Sequence, residues 1–162
     1  MLELSYDDGK YETGVSNGGI KKYGFGVRFE PGSQPFKINE IRILSWIKGT
    51  PKDSDNFTVR ITDKDLLPLW EKSLPFALFT SNPTWLEIKV PDITIVDTFY
   101  VQLYAPTLGQ GLGPYIGTDR STLNEHSEML SGWEITEWAL SIPKEQTNWM
   151  IRVKGNNAVK SE

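Results

Sequence analysis

A single histidine, His126, stands between Glu125 and Ser127. A serine–histidine–carboxylate set needs the imidazole beside an activated hydroxyl and a third group that orients it. Adjacency along the chain does not create that geometry, so His126 is read as a structural residue. One histidine is also too few for a histidine-rich metal centre. The absence of cysteine removes thiolate nucleophiles, cysteine zinc sites and disulfides together, and leaves the compartment open.

Glu134 and Glu137 flank Trp133 and Trp138, a pattern that would suit glycoside hydrolysis beside a sugar platform. Such carboxylates work only at a separation of about 5–9 Å across a cleft. Charged loop residues are ordinarily just solvated, so this enzyme reading is the weaker one. The run Gly109-x-Gly111-x-Gly113 invites a dinucleotide fingerprint but places Pro114 where the third glycine belongs, with no helical pattern after it. No catalytic constellation is identifiable, and the chain is expected not to be an enzyme.

Two further groups could bind a ligand. Asp7-Asp8-Gly9 follows the first extended stretch and is adequate as a plain turn, since Asp and Gly serve tight turns for backbone reasons. Alternatively Asp7 and Asp8, with Asp119 from a late loop, would offer hard oxygen ligands to a structural Ca²⁺; no other cofactor is expected. The second group is aromatic. Strand parity puts Trp46 opposite Ile43 and Ile47, Trp85 opposite Leu86 and Ile88, and Tyr100 and Tyr104 opposite Phe99, Val101 and Leu103. If the aliphatic faces turn inward, these four rings turn outward, where they would stack on a glycan or anchor a neighbouring protein domain. The competing reading has loops such as 66–80 or 121–144 covering them.

The elements that would position these residues are strands. Phe25, Val27 and Phe29 alternate up to Pro31-Gly32; Ile41, Ile43 and Ile47 share the next face; Phe57, Val59 and Ile61 alternate with Thr58, Arg60 and Thr62. Leu86, Ile88 and Val90, then Phe99, Val101 and Leu103, and finally Trp149, Ile151 and Val153 repeat the pattern. Shorter strands are expected at 2–5, 69–73 and 115–117. Turn residues recur between them, including Asn17-Gly18-Gly19 and Asp53-Ser54-Asp55-Asn56. Many short strands with no helical periodicity predict an all-β fold, a two-sheet antiparallel β-sandwich of jelly-roll type, with residues 1–162 forming one domain. The stretch 121–147 fits this pattern least. Thr122-x-x-Glu125 matches a helix capping box, but Ser131-Gly132-Trp133 would end such a helix at once, and a loop or hairpin is expected.

The 162 residues carry a net charge of −4, and Lys21-Lys22 is the one basic pair, which argues against nucleic acid as partner. No apolar run approaches the roughly 20 residues that a membrane-spanning helix needs, so no membrane insertion by this segment is expected. Met1 leads straight into Leu-Glu-Leu-Ser without the basic and apolar regions of a signal peptide. Either the protein is cytoplasmic, or a signal or preceding domain has been cut away; the second, a domain excised from a larger surface or secreted protein, is what the resemblance that follows implies.

A resemblance points the same way. Leu4-Ser5-Tyr6-Asp7-Asp8-Gly9, Tyr23-Gly24-Phe25-Gly26-Val27-Arg28-Phe29, Phe57-Thr58-Val59-Arg60-Ile61-Thr62-Asp63, Trp85-Leu86-Glu87-Ile88, Phe99-Tyr100-Val101, Gly117-Thr118-Asp119 and Asn148-Trp149-Met150-Ile151-Arg152-Val153 resemble a small β-sandwich domain of prokaryotic surface and secreted proteins. It is similar to the extracytoplasmic domain appended to some membrane-embedded metallopeptidases of the antibiotic-sensor type. The resemblance implies a jelly-roll-like accessory module outside the membrane. It carries no peptidase activity across, because no His-Glu-x-x-His occurs here, and 121–147 looks like an insertion. The resulting expectation is a non-catalytic extracytoplasmic binding or structural module, with glycan binding or protein docking as its alternatives.

Overall fold

Alternation of apolar and polar side chains, read along a chain without helical periodicity, leaves extended strands as the way to separate a dry face from a wet one. A computed structural model describes residues 1–16, 23–32 and 35–158; the Asn17-Gly18-Gly19 turn and the Lys21-Lys22 pair lie outside them. In order, the strands are β1 (Leu2–Leu4), β2 (Thr13–Val15), β3 (Tyr23–Phe29), β4 (Phe36–Lys48), β5 (Asn56–Asp63), β6 (Pro68–Pro75) and β7 (Thr84–Ile95). They continue with β8 (Phe99–Tyr104), β9 (Gly113–Asp119), β10 (Ser127–Ser131), β11 (Glu134–Thr136), β12 (Asn148–Trp149) and β13 (Ile151–Asn157).

Two antiparallel sheets pack as a sandwich. The first runs β1-β13-β4-β9-β12, with β2 on the far side of β9 and β7 on the far side of β4; the second runs β11-β10-β3-β8-β5-β6. Phe29, Phe57 and Phe99 of the second sheet and Ile41, Ile43 and Val153 of the first are fully buried between them. Each such side chain removes enough apolar area from water to contribute about 1.5–3 kcal/mol.

Two irregularities shape the first sheet. Phe36 and Ile38 face inward on even numbers and Ile41, Ile43 and Ile47 on odd ones. Against β13 the register shifts between Ile38 and Glu40, leaving Asn39 as an extra residue, while against β7 the same residue faces the three residues Val90, Pro91 and Asp92. This bulge is what lets both sets reach the core. The second irregularity is a fork at Met150. Residues 148–149 pair with β9, residues 151–157 pair with β4, and Met150 sits between them, donating its N–H to Gly117 O at 3.0 Å and accepting from Leu44 N–H at 3.0 Å. β1 lies beyond β13 and β2 beyond β9, so the chain from 5 to 12 crosses the fork as a strap.

The segment 121–147 contains no α-helix. Ser127–Ser131 and Glu134–Thr136 form a hairpin closed by Gly132 and Trp133, whose φ angles are 58° and 68°. Positive φ at both central residues matches the right-handed twist of the flanking strands. Trp138 then stacks on Trp149 with ring centroids 4.9 Å apart, sealing the sandwich beside β12.

Candidate functional site

The four outward rings divide between the two sheets. Trp46 and Trp85 lie on the outer face of the first sheet, Tyr100 and Tyr104 on the outer face of the second, so no surface holds all four. Tyr100 is 8% exposed, and Tyr104 lies 6.1 Å from the ring of Trp133. Trp133 also covers Arg60, whose guanidinium carbon is 4.1 Å from the ring centroid, and its carbonyl accepts from Gln102 Nε2 at 3.1 Å. Trp133, at the turn of the 127–136 hairpin, therefore lies against Tyr104, Arg60 and Gln102 on the outer face of the second sheet.

Trp85 is also covered. Arg42 and Arg152 bring their guanidinium carbons to 5.0 and 4.6 Å from its ring centroid. Two like charges opposite each other in a ladder are unfavourable. Here Glu3 bridges both, at 2.9 Å to each, and Asp7 grips Arg152 through both carboxylate oxygens. Burial pushes the Glu3 carboxyl up, but hydrogen bonds and charge from Arg42 and Arg152 outweigh it and hold the group below its ordinary 4.5. The hydrogen bonds that Arg152 donates to Asp7, together with Glu3, hold it above its ordinary value against the opposing effect of burial.

Trp46 has a different setting. Its indole leans across β9 onto β2, where a Cβ at Gly14 would overlap the six-membered ring. Tyr115 lies parallel at 5.8 Å and Tyr11 at 5.5 Å, so Tyr11, Trp46 and Tyr115 form an aromatic row. Tyr11 is 46% exposed and Trp46 half-buried. Lys48 Nζ adds a cation 4.9 Å from the Tyr115 ring. Tyr11 and Tyr115 escaped sequence reasoning because each sits in or beside a strand of the weakest periodicity. The exposed ring at position 11 could not be paired with Trp46 without the β2–β9 register.

Of the three carboxylates expected to hold a cation, Asp8 and Asp119 come together and Asp7 does not, because Arg152 has taken it. Glu12 takes its place: carboxylate oxygens of Asp8, Glu12 and Asp119 all lie within 4.8 Å of one another. Among the described residues none of the three forms an ion pair. At an effective dielectric near 20, charges that close repel by roughly 3 kcal/mol per pair before solvent screens the two exposed members. Ser121 Oγ lies 2.7 Å from both Asp8 Oδ2 and Asp119 Oδ1, yet a hydroxyl has one proton to give. Burial pushes Asp119 up, while the Thr122 and Ser121 side chains and the backbone N–H groups of Ser121 and Asp8 bond to its carboxylate. Together these bonds hold it below its ordinary 3.8.

His126 and Ser127 have structural partners. His126 stacks on Tyr6 at 3.5 Å and its Nδ1 lies 3.0 Å from Arg28 O. Ser127 Oγ accepts from Trp149 N–H at 3.0 Å. Glu134 and Glu137 are exposed. The Gly109–Gly113 run is a turn leading into β9, with no helix after it. A shallow groove of about 230 Å³ lined by Ser45, Phe79 and Trp85 lies at the edge of β7. No helix of the described residues is long and apolar enough to cross a membrane. No protein-family model matches the chain, and no curated protein matches it.

Proposed function

We propose that this chain is a non-catalytic extracytoplasmic binding or structural module of a larger surface or secreted protein, akin to the domains appended to sensor-type membrane metallopeptidases. The alternation of β3, β4 and β5, and of β7, β8, β9 and β10, between the two sheets supports a jelly-roll winding for it. One observation carries the binding reading: Tyr11, Trp46 and Tyr115 stand in a row at the surface of the first sheet.

Carbohydrate binding is the form of this reading that the row favours. Half-exposed rings on a rigid sheet stack against the apolar faces of sugars at little cost in side-chain freedom. Screening the chain on a glycan array tests it. Retention of a defined class of polysaccharide without release of reducing ends supports a glycan-binding module. Turnover of the glycan overturns the non-catalytic part. No retention, combined with self-association in sedimentation, favours protein docking through the same rings.

A further inference from the structure

Asp119 ends β9 and Asn148 begins β12, and the two residues are direct partners in the ladder between them. Partners in an antiparallel ladder project their side chains from the same face. Asn148 is 1% exposed and Asp119 0%. The amide Nδ2 of Asn148 donates to Thr122 O at 2.7 Å, and the Thr122 side chain bonds in turn to Asp119. The Asn148 Oδ1 is buried with no hydrogen-bond partner. A buried carbonyl oxygen without a donor is costly unless something electropositive satisfies it. Its ladder partner Asp119 belongs with Asp8 and Glu12 to a carboxylate cluster, and among the described residues these three form no ion pair.

The pairing of Thr13 with Thr118 continues as Glu12 N–H donating to Thr118 O at 2.9 Å, which brings Glu12 to the β2 side of Asp119. Asn148 flanks Asp119 from the β12 side, and Asp8 closes from the strap, its N–H donating to Asp119 Oδ2 at 3.0 Å. The four residues thus come from two strand ends, of β9 and β12, and from two points on the strap. Two oxygens bound to one Ca²⁺ at roughly 2.3–2.6 Å lie at most about 5 Å apart, and the three carboxylates meet that limit.

We propose that Asp8, Glu12, Asp119 and Asn148 bind one Ca²⁺ that staples the 5–12 strap across the fork of the first sheet. Carboxylates that switch between one and two bound oxygens, completed by water, supply the six to eight ligands and irregular geometry that Ca²⁺ accepts and Mg²⁺ does not. The cation joins residues more than a hundred positions apart. It also fixes Tyr11, the residue before Glu12, against Trp46. Asp7 has no part in the site.

The test is calcium titration of the full chain after chelator treatment and dialysis, followed by calorimetry and by thermal unfolding. The expected result is one equivalent bound with a rise in Tm, since a ligand held by the folded state alone stabilises it by mass action. Glu12→Gln, at an exposed position, is expected to fold and to weaken binding at least tenfold, and Asn148→Ala to weaken it similarly where circular dichroism shows it folded. Asp7→Asn is expected to keep one equivalent. Absence of both heat and Tm shift overturns the site, and so does undiminished affinity in Glu12→Gln. An equal response to magnesium overturns the assignment to calcium.

Discussion

Arg42 and Arg152 stand directly opposite each other in the ladder between β4 and β13, and the ring of Trp85 lies against both guanidinium groups. A half-buried indole under two cations is attracted by each through its quadrupole, at about 0.5–2 kcal/mol apiece. Trp85→Ala is therefore expected to destabilise the fold by about 1–3 kcal/mol, with Trp85→Phe intermediate, as read from urea unfolding midpoints. An alanine variant as stable as the parent would mean that Glu3 and Asp7 alone hold the arginines.

Gly14 is the floor on which Trp46 rests. Gly14→Ala places a methyl group where the indole now lies. The ring must lift, and overpacking of this kind costs about 1–3 kcal/mol. A spectroscopic sign is expected as well: greater quenching of tryptophan emission by iodide, because the lifted ring gains solvent contact. Unchanged quenching would place the indole elsewhere.

Acid is expected to loosen the strap. Glu3 and Asp119 both titrate below their ordinary values of 4.5 and 3.8 in the folded chain, so the unfolded chain binds more protons there. The stability they contribute is present above about pH 4.5 and lost as pH falls through the lower folded values. Arg152 stays charged throughout. With chelator present, the urea midpoint is expected to drop between pH 5 and pH 3, and Asp119→Asn to shallow that drop. A midpoint independent of pH over this range would refute the assignment.

Much of this architecture was legible beforehand. Period-two runs such as Phe57-Val59-Ile61 and Phe99-Val101-Leu103 specify both the strands and their inward faces, and the outward parity of Trp46 and Trp85 followed from them. Three things were not legible, each for a physical reason. The bulge at Asn39 restores parity between Ile38 and Ile41, and a run of sequence does not announce where a strand gains a residue. The hairpin turn at Gly132-Trp133 places a bulky residue at φ 68°, which turn preferences disfavour and contacts with Arg60 and Tyr104 offset. The exchange of Asp7 for Glu12 depends on which carboxylate Arg152 reaches, a matter of how the strap lies against a β13 residue 145 positions away in the chain.

The binding role of the aromatic row is tested most directly by affinity electrophoresis of the parent chain and Trp46→Ala through gels containing the polysaccharide that the parent retains best on the array. The expected result is retardation of the parent and free migration of the folded variant, with Tyr100→Phe on the opposite sheet behaving as the parent does. Equal retardation of parent and Trp46→Ala would contradict a binding face built on Tyr11, Trp46 and Tyr115.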